Sequence, residues 1–217
     1  MPDPIETALA AALSDRTAIG QVLIQRTNDN GFALCHRDDE GGANLTIFRA
    51  PEDAIEIARY DNAGNFRPLK TAPSLRRGWR LEASDLQELR RALDYLYPGR
   101  LAMLSAWKQK RLRTTVLRDT LNRQSGMYRV AAKISDEQIN NVVGDFCRSN
   151  RGCLRTVLWK RDGQGTVPST KLPTDKFDPA HDQTGRHKGA IPLLCQEACN
   201  LLVAECRKVV KGEANQE

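Results

Sequence analysis

The 217-residue sequence has no long apolar run and no basic leader. No stretch approaches the roughly 18 consecutive apolar residues that a membrane-spanning helix requires. The opening, MPDPIETALAAALSD, is acidic and lacks the basic start and small-residue exit of a secretory signal peptide. We therefore expect a cytoplasmic protein that makes no use of a membrane.

The common catalytic patterns are also missing. The three histidines, His36, His181 and His187, are scattered along the chain. We find no Ser/His/Asp order, no glycine-rich loop to cradle a phosphate and no pair of acids in a shared apolar context. Cys35 and His36 are neighbours on a predicted strand, where successive side chains point to opposite faces. We therefore do not expect His36 to activate Cys35 as a nucleophile. The sequence therefore contains no pattern of these enzyme classes.

What the sequence does contain is six cysteines, four of them in two pairs. In a reducing compartment such a number indicates thiols or metal ligands rather than a disulfide framework. Cys147 and Cys153 lie in FCRSNRGCLRT, and Cys195 and Cys199 lie in PLLCQEACNLL about forty residues further on. The two pairs supply four thiolates that can converge when the chain folds back, as a soft metal centre requires.

Three interpretations of these four cysteines compete: an iron-sulfur cluster, a four-thiolate zinc site, and cysteines that are only buried or scattered. Structural zinc ligands usually form Cys-x2-4-Cys pairs, and the spacing of Cys147 and Cys153 exceeds that range, whereas cluster spacings vary more. Spacing therefore favours a cluster and keeps zinc as the alternative. Cys35, on a predicted strand, and Cys206, on the predicted last helix, are interpreted as small buried residues. Cys206 would lie about 10 Å beyond Cys199 along the helix, which is too far for a ligand of the same cluster.

The pattern of elements predicts an α+β protein with two small mixed domains, an N-terminal one over residues 1–110 and a C-terminal one over residues 111–217 built around the cysteines. In the first domain, QVLIQR and FALCHR predict a hairpin around an Asn-Gly turn. Residues 46–49 predict a strand, PEDAIEIARY a helix, and SDLQELRRALDYLYPG a helix capped by Ser84 and stopped by Pro98. Residues 101–124, with six basic side chains, predict one or two helices that join the domains.

In the second domain, MYRVAAKI predicts a strand, and SDEQINNVVGDFC predicts a helix whose Ser135 and Gln138 form a capping box. The last turn of this helix carries Cys147. CLRTVLWK predicts a strand entered at Cys153, and residues 161–189 predict a long irregular loop.

The final segment, IPLLCQEACNLLVAECRKVVKG, predicts a helix from Pro192 to a stop at Gly212. Cys195 and Cys199 would then lie one turn apart on one face of the helix. They would be close to its N-terminal end, where the helix dipole favours negative charge.

The formal charge of +6 permits an acidic partner protein, a nucleic acid or a carboxylate-rich small molecule. Arg148, Arg151 and Arg155 flank the first cysteine pair. They would offset the negative charge of an all-thiolate cluster, or they are solvated loop residues.

Around the cysteines, in FCRSNRGCLRTVLWKRD and PLLCQEACNLLVAECRKVV, the sequence resembles the iron-sulfur-binding C-terminal region of sirohydrochlorin cobaltochelatase-like proteins of the class II chelatase group. The likeness is strongest over residues 125–211. The preceding part, including YDNAGNFRPLKTAPSLRRGW, resembles the stabilising domain that accompanies this region. The chelatase domains themselves have no counterpart here, so the resemblance does not carry chelatase activity over.

The resemblance implies a 4Fe-4S cluster bound by Cys147, Cys153, Cys195 and Cys199. It also implies an electron-transfer or redox-sensing accessory module of cobalamin or tetrapyrrole metabolism. Its partner would be a separate chelatase, another tetrapyrrole enzyme or an acidic redox protein. The alternative is a winged-helix-like regulator that binds nucleic acid and carries a cluster or a structural zinc, but SDEQINNVVGDF is acidic where a recognition helix should be basic.

Overall fold

The computed structural model describes residues 3–61, 63–66, 75–147, 156–162 and 190–212. These residues fall into two compact units, the first within 1–112 and 180–193 and the second within 113–179 and 194–217. The predicted α+β class with two small mixed domains is confirmed. The return of residues 190–193 to the first unit was not predicted from the sequence.

A mixed sheet forms the centre of the first unit. Its strands lie in the order β1-β2-β3-β5-β4, and only the pairing of β4 with β5 is parallel. The predicted hairpin is confirmed, since β2 and β3 are antiparallel and Asn30 in their turn has φ 66°. The strands are β1 Arg16–Ile19, β2 Val22–Arg26, β3 Phe32–His36, β4 Thr46–Phe48 and β5 Trp79–Ala83.

The described part of this unit also contains helices α1 Pro4–Ala10, α2 Asp53–Arg59, α3 Leu86–Leu96 and α4 Arg100–Lys108, and a 3-10 helix at Arg37–Asp39. The predicted cap of α3 is wrong by one residue. Asp85 caps the helix, because its carboxylate accepts the Glu88 N–H at 2.8 Å. Ser84 instead donates its N–H and its hydroxyl to the Glu88 carboxylate, each at 2.8 Å. The helix ends before Pro98, as predicted.

The second unit is made of shorter and less regular elements. They are α5 Leu117–Asn122, a 3-10 helix at Gly126–Lys133, α6 Asp136–Val142, a π-helical turn at Val143–Cys147, β6 Thr156–Val157, β7 Leu194–Cys195 and α7 Asn200–Lys211. The strand predicted for MYRVAAKI is wrong, because most of this segment lies in the 3-10 helix. Ala131 and Ile134 are both buried, and their spacing of three matches the 3-10 period rather than the alternation of a strand.

The start predicted for the last helix is also wrong. Residues 191–196 are bonded to distant parts of the chain: Ile191 N–H donates to Ala18, and the carbonyls of Cys195 and Gln196 accept from Leu158 and Thr115. These long-range bonds keep the segment extended, so α7 begins only at Asn200. Its end at Gly212, with φ 73°, is as predicted. No helix in the described ranges is long and apolar enough to cross a bilayer.

Candidate metal centre

Three of the four predicted ligand residues come to one apolar core in the second unit. Cys147 is 8% exposed and belongs to this core, and Cys195 and Cys199 are partly buried against it. The core also contains the buried side chains of Trp159 and Val203. Three thiols from three separate elements are therefore presented to the same hydrophobic surroundings. Cys153 and the arginines that flank the first pair lie outside the described residues.

Cys147 is positioned by helix α6 and the π-helical turn that follows it. The predicted capping box is confirmed: Ser135 Oγ accepts the Gln138 N–H at 3.2 Å, and Gln138 Oε1 accepts the Ser135 N–H at 3.0 Å. Buried Ile139 and Val142 hold the inner face of the helix. π-Helical turns within helices are frequent at functional sites, and this one ends at Cys147.

Cys195 lies on β7 rather than on a helix. This strand is parallel to β6, with Val157 opposite Cys195, and the Leu158 N–H donates to the Cys195 carbonyl at 2.9 Å. The next carbonyl, that of Gln196, accepts from the Thr115 N–H at 3.0 Å. The backbone is thus fixed at Cys195 and at the residue after it.

The Cys195 thiol donates to the Glu197 carbonyl at 3.1 Å. A thiolate has no proton to donate, and a carbonyl oxygen repels its charge. This hydrogen bond would therefore be lost if the Cys195 thiol were deprotonated.

Cys199 is the N-cap residue of α7, with φ −83° and ψ 161°, and its side chain makes no capping hydrogen bond. Its thiol is at the end of a twelve-residue helix where the backbone N–H groups leave partial positive charge. Leu202 and Val203, in the first turn of the helix, are buried and fix this end against the core. The prediction that Cys199 lies at the N-terminal end of the last helix, where negative charge is favoured, therefore holds. The same prediction is wrong for Cys195, which lies on β7.

Comparison with known proteins assigns both halves of the chain. Residues 109–208 match the family described as the 4Fe-4S iron-sulfur cluster binding domain, and residues 7–111 match the family described as the DR2241 stabilising domain. The chain thus consists of two matched regions, which we call the stabilising domain and the cluster-binding domain. The cluster-binding match includes the positions of all four paired cysteines.

Among solved structures, the chain is similar to DR2241 from Deinococcus radiodurans, which is described as a multi-domain protein with structural similarity to chelatases and two additional novel domains. The two share 30% sequence identity with a TM-score of 0.70. The match covers 96% of this chain and 41% of DR2241, so the chain spans less than half the length of that protein. No curated protein matches the chain.

The donors of the cluster-binding domain suit the chemistry of such a cluster. Within the described ranges, no three His, Cys, Asp or Glu side chains form a group that could hold a single metal ion. A 4Fe-4S cluster instead takes each of its four thiolates at a different iron, so its ligands need not meet at one point. Cys147, Cys195 and Cys199 supply three thiols at one apolar core, and thiolates are the ligands that such a cluster takes.

The other two cysteines differ from the predicted ligands, although Cys206 belongs to the same core as Cys147. Cys206 is fully buried in α7, and burial raises the pKa of its thiol to about 12, so it remains neutral. Cys35, on β3 of the stabilising domain, is only partly buried. Burial, together with Asp39 and Glu40, raises the pKa of its thiol as well. Both residues are poor sources of thiolate.

Among the described residues, His36 is not part of a group that could hold a metal ion. His36 is buried in the stabilising domain, where its Nδ1 accepts the Asp38 N–H at 3.1 Å. His181 and His187 lie outside the described residues.

Sequence reasoning missed the segment that supports β6. Val116 forms a parallel bridge with Lys160, and the Leu117 N–H donates to the Lys160 carbonyl at 2.7 Å. The Lys160 N–H donates to the Thr115 carbonyl at 3.0 Å. This segment thus fixes the chain just after the strand that pairs with Cys195. The signal in the sequence was the β-branched run at 114–116, which disfavours the helix predicted there.

Proposed function

We propose that Cys147, Cys153, Cys195 and Cys199 bind one 4Fe-4S cluster, and that the protein transfers or senses single electrons beside an enzyme of tetrapyrrole metabolism. The observation that carries this proposal is the presentation of three thiols to one core within a domain of the cluster-binding family. When bound, a cluster of this kind supplies one-electron chemistry. With four thiolate ligands, no coordination position is left for a substrate, which favours electron transfer over catalysis at iron.

The protein's own residues would set the properties of this site in two ways. The N-terminus of α7 stabilises negative charge at Cys199. The apolar core, including Trp159 and Val203, limits water on one side of the thiols, and burial of this kind tunes a reduction potential.

The chelatase-like character described for DR2241 supports the proposed link to tetrapyrroles, including cobalamin. Metal insertion itself would belong to a partner, either a separate chelatase or another tetrapyrrole enzyme. The formal charge of +6 would suit an acidic surface on that partner or on a redox protein. We propose that the protein acts in the cytoplasm, where thiols remain reduced.

The test is anaerobic purification followed by iron and sulfide analysis and paramagnetic resonance before and after reduction. We expect roughly four irons and four sulfides per chain, as the cluster formula requires, with visible absorption that fades on reduction. Cys199→Ser should remove most of the iron. Cys206→Ser, seven residues later on the same helix, is the matched control and should keep it. A colourless protein with stoichiometric zinc, or equal iron loss in both variants, would overturn the proposal.

Nothing in the described geometry favours the nucleic-acid alternative. Helix α6, which would have to read DNA, begins with Asp136 and Glu137 and has no basic residue. DNA binding that weakens steeply with salt would be needed to support that function.

A further inference from the structure

The chain passes from the stabilising domain into the cluster-binding domain immediately before a proposed ligand. Leu193 belongs to the first compact unit and Leu194 to the second, and Cys195 is the next residue. Two residues of extended chain span at most about 7 Å. Whatever fixes Leu193 in the stabilising domain therefore limits where Cys195 can lie.

The segment before this crossing is firmly seated in the stabilising domain. Ile191 forms a parallel bridge with Ile19, at the edge of the sheet, and donates its N–H to the Ala18 carbonyl at 2.7 Å. Ile191 is 3% exposed and Leu193 is 2% exposed, and both belong to the core of the stabilising domain. The segment thus continues the sheet and also fills part of its core.

The absence of a side chain at Gly20 leaves space for the side chain of Leu193. A Cβ at position 20 would lie 2.6 Å from Leu193 Cδ1 and 2.7 Å from the Tyr97 hydroxyl oxygen, and Gly20 has φ +56°, which favours glycine. The same hydroxyl accepts the Gln21 N–H at 2.9 Å, so Tyr97 is not free to give way. The turn between β1 and β2 therefore admits Leu193 only because residue 20 has no side chain.

We propose that Ile191 and Leu193 are positioning residues for the cluster: they anchor the chain in the stabilising domain so that Cys195 is held ready to bind iron. From the other side, Leu158 bonds the Cys195 carbonyl within the cluster-binding domain. The backbone is thus fixed before Cys195 by Ile191 and Leu193 and at Cys195 by Leu158. A ligand whose position is fixed before binding loses less conformational entropy when it binds. This inference rests on the proposed role of Cys195 as a ligand.

The decisive comparison is Leu193→Ala against Leu104→Ala. Both side chains are 2% exposed in the same core, but Leu104 lies on α4, away from the segment that leads to Cys195. Each substitution removes the same atoms from the stabilising domain. We expect Leu193→Ala to speed iron loss to an external chelator by about tenfold or more, the scale seen when support of a metal ligand is removed. Leu104→Ala should release iron at the wild-type rate.

Two further variants keep the test decisive if Leu193→Ala does not fold. Ile191→Val removes one methylene group from the segment and should speed iron loss in the same direction. Leu101→Val on α4, another leucine of this core, is its mild control and should not. Equal iron-loss rates within each matched pair would overturn the inference.

A second readout separates this inference from the proposed function. Hydrogen exchange at the Leu158 amide, which bonds to Cys195, should be faster in Leu193→Ala than in Leu104→Ala when both proteins are measured as purified. If the wild-type protein binds no cluster, the proposed function fails while the amide still tests the anchor. If it binds a cluster but both leucine variants behave alike, only the anchor fails.

Discussion

The two domains differ in how their cores are built. The stabilising domain packs regular helices against a sheet with the order β1-β2-β3-β5-β4, and side chains such as Trp79 and Leu81 are fully buried in it. The described part of the cluster-binding domain has a 3-10 helix, a π-helical turn and two strands of only two residues each. Its core has thiol groups in it and against it. From this comparison we expect apolar burial to stabilise the first domain, and the proposed cluster to contribute part of the stability of the second.

Removal of the cluster should produce the largest difference between the domains. A centre that ties distant segments contributes its binding free energy to folding. Stripping the iron with a chelator should therefore lower the unfolding temperature of the cluster-binding domain by tens of degrees or unfold it, and should change the stabilising domain far less. Hydrogen exchange followed amide by amide would measure both. Equal loss of protection in the two domains would contradict the comparison.

A pH effect of intermediate size is expected in the stabilising domain. Burial lowers the pKa of His36 below its ordinary value of 6.5, and Arg77 and Arg37 act in the same direction against the opposing effect of Asp38 and Asp39. The unfolded chain therefore takes up the proton first. The contribution of neutral His36 to the free energy of unfolding is therefore fully present above about pH 6.5. It falls as the pH drops below that value, by at most about 1.4 kcal/mol per pH unit.

The substitution His36→Asn tests this assignment. Asparagine offers an oxygen to the Asp38 N–H in place of Nδ1 but does not titrate in this range. Denaturant unfolding between pH 5 and 7.5 should show a flatter dependence of the free energy of unfolding on pH in the variant. An unchanged slope would assign the effect to another group.

The smallest expected effects come from one helix cap in each domain. Asp85→Ala removes the cap of α3, and Ser135→Ala removes half of the capping box of α6. Each should lower the free energy of unfolding of its own domain by about 1 kcal/mol. Separate unfolding transitions, followed by hydrogen exchange, would show whether either change reaches the other domain. Transfer of the full effect across domains would show that the two do not unfold as distinct units.

Sequence reasoning succeeded where local chemistry decides the structure. The Asn-Gly hairpin, the capping box of Ser135 and the stop at Gly212 follow from signals within a few residues, and all are present. The family resemblance was equally sound, because the cysteine-bearing strings are specific. The interpretation of Cys206 as a small buried residue is confirmed by its complete burial.

Prediction from the sequence was wrong where pairing between distant segments determines the structure. The apolar stripe after Pro192 continues without a break into α7, so nothing local shows that Cys195 pairs with a strand near residue 157. Nor does any local signal show that Ile191 joins the edge of a sheet formed by residues near position 19. Such pairings depend on which partner is available after the chain folds, and the hydrophobic pattern of one segment does not contain that information.

The interleaving of the two units also sets an order of events on the ribosome. Residues 1–112 leave it first, but Ile191 and Leu193, which complete the core of the stabilising domain, follow only after most of the cluster-binding domain has been made. The edge of the sheet at Ile19 and the space beside Gly20 therefore remain unfilled until some seventy residues of the second domain have emerged. During synthesis, the first domain is therefore completed only shortly before the second, and its last segment emerges just ahead of Cys195 and Cys199.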